Sequence, residues 1–384
     1  MDSDPQASKR PAPKFKKFLR IVTLALVVFY VLIWTRIRYL QSRAAQSVVV
    51  RFKSEAELSK IPVSADSYPC LLIGRIGAKP DEPLKASLGQ CSPALHNDDD
   101  IEQYEVDLRS GLFVLRKTDL FIRDSMPLAL TREYHLGDQH SRGFGIGGNH
   151  DYDIFPVGDR FPYTYMDLIL GDGASVHYNR ISEGSSYVDF VNEHRGTPAT
   201  VFEKSQIRWN ADHWDLTFQD GRLYSFPEAY HARRPVDGAL VGMRSPNGEK
   251  IKVVRDAKHN LMSLASPHGH QIRFTYDDAD RVTQAADDGG HVIRYSYDAE
   301  GRLSEVRRGG DVVCRYLYTA GRMTAVQDSG GNDILVMEYS GGRISRIIEH
   351  WSSTYHFDYL LAPNGQVRET TITYPSGKQI VLKF

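Results

Sequence analysis

Tyr276, Tyr297, Tyr318 and Tyr339 stand 21 residues apart, and this period constrains the chain more than any other feature. Two positions earlier the same step gives Phe274, Tyr295, Tyr316 and Met337; two earlier again it gives Ile272, Ile293, Cys314 and Leu335. Arg273, Arg294 and Arg315 fall between these, as do Thr275 and Ser296. Side chains of a strand alternate between faces, so the pattern predicts a strand with one buried face, recurring at fixed phase. One step back lie Ile251 and Val253; one step forward, with one residue deleted, lie Tyr355, Phe357 and Tyr359. Six units are expected between about 248 and 372.

Each unit then turns. Asp280-Arg281-Val282, Gly301-Arg302-Leu303, Gly321-Arg322-Met323 and Gly342-Arg343-Ile344 occupy the turn, where glycine permits the positive φ of a tight hairpin. The strand that follows carries apolar residues three apart: Val282/Ala285, Leu303/Val306, Met323/Val326 and Ile344/Ile347. Same-face residues of a regular strand are two apart, so the spacing predicts a bulge or a bent strand end. One unit is one β-hairpin, and the series should stack into a curved antiparallel sheet. The 31 Gly and 21 Tyr of the 384 residues follow from this architecture.

Tyr295-Ser-Tyr297-Asp298-Ala-Glu-Gly301-Arg302-Leu303 resembles the YxYDxxGRL hallmark of YD repeats, which occur in Rhs proteins, polymorphic toxins and teneurins. Neighbouring units keep parts of it: Tyr276-Asp277 with Asp280-Arg281, and Tyr318 with Gly321-Arg322. The residues that carry the motif are Tyr276, Arg281, Tyr295, Tyr297, Asp298, Gly301, Arg302, Leu303, Tyr318, Gly321, Arg322, Tyr339, Gly342 and Arg343, all read as structural. Upstream, Asp107 to Leu120 (DLRSGLFVLRKTDL), Pro127 to Tyr134 (PLALTREY) and Phe144 to Tyr152 (FGIGGNHDY) resemble the N-terminal Rhs domain, with Gly148 where that pattern usually has Trp.

In that family the YD sheet spirals into a hollow shell, often around a C-terminal toxin freed by self-cleavage. Six repeats are too few to close such a shell. No DPxG cleavage segment is present, and no toxin domain fits before Phe384. The resemblance therefore implies the fold: all-β, a partial YD shell of stacked hairpins, preceded by one transmembrane helix. The expected organisation is a basic tail over 1–17, an anchor over 18–40, a membrane-proximal segment over 41–105, an Rhs-type β domain over 106–247 and the YD sheet over 248–384.

The anchor is the apolar run Ile21 to Trp34, extended by Phe18, Leu19 and Ile37 to Leu40. Fourteen helical residues rise only about 21 Å against roughly 30 Å of hydrocarbon, so the extensions matter. Arg20 and Arg36 can snorkel, while Tyr30, Trp34 and Tyr39 suit the interface. A cleaved signal peptide is the competing reading, and Thr35-Arg36-Ile37-Arg38 is a poor cleavage region. Six Lys/Arg precede the span from Lys9 onward and three follow it to Arg43, which places the N-terminus in the cytoplasm and the bulk of the chain outside. In a bacterium this is an inner-membrane, single-pass protein with a periplasmic domain.

Residues 1–43 carry nine Lys/Arg and two Asp; of the totals, 47 and 48, the remainder holds 38 and 46, a net charge of -8. That balance argues against binding nucleic acid by bulk charge. Three cysteines exclude a dense disulfide framework; Cys70 and Cys91 either close a loop or remain free. Asp138-Gln-His140 with Gly148-Asn-His150-Asp151 echoes binuclear metallophosphoesterases but lacks the intervening GDxxD piece. Asp151, Asp153, Asp159, Asp167 and Asp172 would suit a glycosidase only as a pair across a cleft. Cys314 sits at a ladder position and reads as core. No complete catalytic set emerges, so the chain is expected to be a non-enzymatic scaffold without cofactor or metal. It would be held by membrane lipid, and free sheet edges would recruit a protein partner or a second copy. An envelope hydrolase acting on glycan or peptidoglycan, or a remnant of a longer Rhs toxin, are the alternatives.

Overall fold

The 21-residue period becomes hairpins joined edge to edge in the computed structural model, which describes residues 73–75, 102–159, 162–171, 175–195, 201–229, 234–349 and 353–384. The expected anchor over 18–40, the tail before it, and Cys70 and Cys91 lie outside the described residues. Among the described residues no helix is long and apolar enough to cross a membrane.

The first strands are β1 (Ile73–Arg75), β2 (Glu102–Asp107), β3 (Leu112–Ile122), β4 (Leu128–His135), the small ribbon β5 (Ser141–Arg142) and β6 (Gly145–Ile146), and β7 (Gly148–His150). Five of them form one sheet in the order β1-β2-β3-β4-β7. A second sheet takes in everything that follows. It begins with β8 (Phe155–Gly158), β9 (Tyr165–Ile169), β10 (Ser175–Arg180), β11 (Val191–Glu193), β12 (Gln206–Asn210), β13 (His213–Thr217), β14 (Leu223–Pro227) and β15 (Gly242–Arg244). It continues as six hairpins: β16 (Lys250–Arg255) with β17 (Leu261–Ala265), β18 (Gln271–Tyr276) with β19 (Val282–Asp287), β20 (Val292–Tyr297) with β21 (Leu303–Arg308), β22 (Asp311–Thr319) with β23 (Arg322–Gln327), β24 (Asp333–Ser340) with β25 (Arg343–Glu349), and β26 (Ser353–Leu361) with β27 (Val367–Thr373). The last strand is β28 (Gln379–Lys383).

The sheet is larger than the repeat count predicts, because the non-repetitive strands before residue 248 join it. Gly242, Met243 and Arg244 pair with Lys252, Ile251 and Lys250, so the ladder crosses the expected domain boundary without a break. The strand order runs round a closed barrel in which β28 returns beside β8. This corrects the expectation of an open, truncated sheet with two free edges. Residue-by-residue registers are present at each junction from β8–β9 to β27–β28; among the described residues the returning junction has none.

The three-residue apolar spacing has the expected cause. Thr275 pairs with Gln284 and Tyr276 with Val282, which leaves Thr283 as an extra residue. Ser304, Thr324 and Ser345 are skipped in the same way in the next three hairpins. A bulge residue turns the strand by one face, so Val282 and Ala285 both point inward and both are fully buried. Turns come in two forms. Gly341 and Gly342 both have positive φ (58° and 84°) between the paired Ser340 and Arg343, the two-residue turn whose twist suits a hairpin. The longer turns of the first three hairpins begin at an Asp that caps them, Asp256, Asp277 and Asp298.

The inward ladder (Ile272/Phe274, Ile293/Tyr295, Cys314/Tyr316, Leu335/Met337, Tyr355/Phe357) is buried, and it packs against the five-stranded sheet in one continuous core. That sheet fills the concave side as a plug. Its strand β4 is buried at all eight positions, so neither face meets water.

Candidate functional site

Two polar constructions organise the molecule: a clasp repeated between hairpins, and an ion-paired cluster between plug and shell. The clasp uses the repeat residues. Asp277 Oδ1 accepts the backbone N–H groups of Ala279 and Arg281, and its Oδ2 accepts Arg281 Nε at 2.8 Å. Asp298 repeats the arrangement with Glu300 and Arg302, again at 2.8 Å to Nε. Burial works to raise the Asp277 carboxyl, and the hydrogen bonds from Arg281 outweigh it and hold it below the ordinary aspartate range. Each arginine then lies over the tyrosine of the next hairpin: Arg281 over Tyr297 (4.5 Å to the ring centre), Arg302 over Tyr318 (4.8 Å) and Arg322 over Tyr339 (5.7 Å). The tyrosines reach backward. Tyr276, Tyr297, Tyr318 and Tyr339 donate to the carbonyls of Leu261, Val282, Leu303 and Met323 at 2.8, 2.6, 2.9 and 2.6 Å. Tyr, Asp, Gly and Arg recur together because each turn is capped by its Asp and fastened to its neighbours by a ring and a guanidinium. Where the turn lacks Asp, at Gly321 and Gly342, the arginine keeps the stacking role or bonds a neighbouring turn, as Arg343 does to Gly365 O.

The second construction centres on Arg132 of β4, whose side chain is 2% exposed. Its Nε and Nη2 bind Asp119 Oδ2 and Oδ1 at 2.8 and 3.1 Å, and its Nη1 donates to Tyr316 Oη at 3.0 Å. Tyr295 donates to Asp119 Oδ2 at 2.8 Å, and Cys314 Sγ to Tyr316 Oη at 3.1 Å. Asp119 and Arg132 come from the plug; Tyr295, Cys314 and Tyr316 come from the shell. Burial alone would favour a neutral guanidine, but Asp119 more than offsets it and drives the Arg132 pKa well above its usual value. Burial pushes the Cys314 thiol up, which suits a core residue and not a nucleophile. Arg116 and Glu133 form a second buried pair beside it at 2.9 Å. The sequence reading missed all four charged residues as a group. The available signal was opposite charge on strands joined by one short turn, within otherwise apolar runs.

Plug and shell also share backbone bonds. Val282 and Ile344, equivalent residues three hairpins apart, donate their N–H groups to Gly143 O and Gly111 O at 2.8 Å each. Ile146 N–H donates to Gly301 O at 3.1 Å, and Thr370 Oγ1 to Leu108 O at 2.6 Å. Gly145 is required at its position: its φ is +82°, and a Cβ there would sit 2.4 Å from Gly301 O.

Of the candidate chemical groups, His150 and Asp153 are brought close, at 3.8 Å between Nε2 and Oδ1. Asp138 binds His140 and Arg142 within one exposed turn, while His150 is buried among Phe144, Tyr152 and Phe274. Asp153 is occupied by Arg255 at 2.9 Å. Asp159 caps the turn to Tyr165, and Asp167 pairs with His177 across two strands. Asp172 lies outside the described residues. Among the described residues no group of three or more His, Cys, Asp or Glu could hold a metal ion.

Two family models match parts of the chain. Residues 103–178 match a domain of unknown function (DUF6531), which spans the plug and the first shell strands. No curated protein matches the chain. Among solved structures it is similar to the crystal structure of TcdB2-TccC3-Cdc42, at 11% identity and a TM-score of 0.31, over 74% of this chain and 16% of that one. It is similar to the Photorhabdus luminescens Tc holotoxin pore at 11% identity and a TM-score of 0.30, over 72% and 14%. A porin-like protein from Bacteroides uniformis is matched at 9% identity and a TM-score of 0.18, over 71% and 95%. The chain thus spans only 16% and 14% of the first two. Residues 240–383, the strands of the repeating clasp, match the Teneurin YD-shell family model, so this part of the chain is similar to the YD-repeat shells.

Proposed function

We propose that this chain is a membrane-anchored, extracytoplasmic scaffold that presents the outside of a short YD shell to a protein partner or to further copies of itself, and performs no chemistry of its own. The observation that carries this reading is the filled concave side. A hollow shell can hold a cargo; here the space is taken by the chain's own plug, fastened through Arg132, Asp119, Tyr295 and Tyr316. Among the described residues a small space borders that cluster, lined by Leu115, Phe144, Leu303 and Met323; at about 10 Å³ it has room for about one water and none for a cargo. Recognition would therefore take place on the convex face of the shell. The apolar N-terminal stretch supports the anchor, and the excess of Lys/Arg on its N-terminal side supports a place outside the cytoplasm for the rest.

Light scattering of the full chain in neutral detergent tests the reading. A defined oligomer, or a stable complex with a partner, is expected; a strict monomer that binds no protein counts against it. A reporter fused after Phe384 should be active only outside the cytoplasm. Hydrolysis of peptidoglycan by the purified chain, lost in Asp151→Asn or Asp153→Asn, would replace the scaffold reading with the hydrolase one.

A further inference from the structure

A trough crosses the convex face over β12 to β16, on the side away from the plug. Register fixes what lines it. Arg208, Asp215, Ser225, Gly242 and Lys252 lie opposite one another in five successive strands; Gln206, Thr217, Leu223, Arg244 and Lys250 form the next row. The inward positions of these strands, Ile207, Trp214, Leu216, Tyr224, Phe226 and Ile251, are buried, so both rows face out. The middle of the first row is low, a serine and a glycine, and long cationic side chains stand at both ends. Two adjoining depressions of about 540 and 430 Å³ result, sharing Asn210, Asp215 and Leu223. Four strand spacings make the trough roughly 19 Å across.

Its walls are unneutralised. Arg208, Arg244, Lys250 and Lys252 are exposed, and among the described residues none of them is in an ion pair. Beyond β17 the shell is mixed: Arg281, Arg302, Arg307, Arg315 and Arg346 each have a carboxylate partner, while Arg273 and Arg294 stand exposed, singly on their strands and outside the trough. Arg208 lines the first depression and Arg244, Lys250 and Lys252 line the second, in a part of the chain with 38 Lys/Arg against 46 Asp/Glu. The floor has a different character. Asp215, 6% exposed, accepts from Ser225 Oγ and Asn210 Nδ2 at 2.8 Å each, with His213 Nε2 at 3.3 Å. A fixed carboxylate flanked by a hydroxyl and an amide is matched to sugar hydroxyls, and it opposes a close-packed phosphate chain. Leu223, in the second outward row and shared by both depressions, adds apolar wall for the C–H face of a sugar ring.

We propose that this trough binds an acidic polysaccharide. Its hydroxyls meet Asp215, Asn210 and Ser225 on the floor, and its carboxylate or sulfate groups meet Arg244, Lys250 and Lys252 on one wall and Arg208 on the other. The inference is independent of whether the shell recruits a protein.

The test is fluorescence anisotropy of a labelled heparin hexasaccharide with the full chain in neutral detergent, at low and moderate salt. Saturable binding that weakens steeply with salt is expected. Lys250→Glu with Lys252→Glu should weaken it about tenfold or more, since a lost and reversed charge contact at each position is worth at least 1.4 kcal/mol together. Ser225→Ala should weaken the hexasaccharide several-fold and leave any residual DNA binding unchanged. Arg273→Glu with Arg294→Glu, exposed cations outside the trough, should change nothing. Circular dichroism confirms that each variant is folded. The proposal is overturned if the hexasaccharide does not bind, or if neutral cellohexaose binds as well. Equal or tighter binding of single-stranded DNA or anionic vesicles, or loss of binding only in the Arg273/Arg294 variant, overturns it equally.

Discussion

Arg132→Met isolates the contribution of the buried cluster. Methionine keeps most of the side-chain stem and removes the charge, so Asp119 is left buried between plug and shell with Tyr295 as its remaining side-chain donor. Three hydrogen bonds are lost, two to Asp119 and one to Tyr316. Removing one partner of a buried ion pair costs about 3–5 kcal/mol, because the survivor loses its compensation without regaining water. With roughly 2 °C lost per kcal/mol in a fold of this size, the unfolding midpoint should fall by about 6–10 °C. Asp119→Leu alone should cost a similar amount by stranding the guanidinium. The double variant should cost far less than the sum, since it strands no charge and leaves only the Tyr295 and Tyr316 hydroxyls short of a partner, at about 1–3 kcal/mol each. Thermal and urea unfolding of all four proteins closes the cycle. A loss below about 1 kcal/mol in either single variant, or strict additivity in the double, would refute the claim that this pair holds the plug in the shell.

Three further outcomes follow from the geometry. Tyr297→Phe removes the 2.6 Å bond to Val282 O and should cost about 0.5–1.5 kcal/mol by urea unfolding, and Phe at all four of positions 276, 297, 318 and 339 should cost about four times that; a neutral quadruple variant would contradict the clasp. Gly145→Ala should destabilise by clearly more than Gly248→Ala, because both sit at positive φ, worth about 1–3 kcal/mol, but only the first drives a Cβ into Gly301 O; equal midpoints would remove the contact argument. His150 is held neutral chiefly by burial, with Arg255 helping and Asp153 opposing, so its pKa lies below the ordinary 6.5. The unfolded chain takes up that proton first as pH falls, and stability should decline below about pH 6.5 by a component that His150→Phe abolishes; an unchanged pH profile in that variant would count against it.

The hairpins were legible because they are local: 21 residues hold a strand, a capped turn, a bulge and a second strand, and every restraint recurs in phase. Even the bulge showed itself, as Val282 and Ala285 three apart. The role of the arginines did not, because Arg281 serves Tyr297 of the following unit, and a motif written within one unit hides a contact between two. The early strands of the shell were less legible for a different reason. β11 and β15 have three residues each, too short for alternation to register, and they join the sheet only through neighbours that are themselves not repetitive.

The plug was the least legible, and the cause is electrostatic. Four of the eight residues of β4 are Thr131, Arg132, Glu133 and His135, a composition that reads as a strand with one wet face. Whether such a strand can lie at the centre depends on Asp119 and Arg116 facing it across the β3–β4 turn, since each buried charge is tolerable only where its counter-charge is fixed at hydrogen-bonding distance. Sequence shows the charges but not their register. The trough on the convex face depends on register in the same way: Arg208 and Lys252 are 44 positions apart, and only four consecutive strand pairings align them across Asp215, Ser225 and Gly242. Inside the shell the paired charges are neutralised and fix the plug. Outside it the unpaired ones are left facing water, and an unneutralised row of that kind on an acidic protein is the feature from which a ligand is most directly argued.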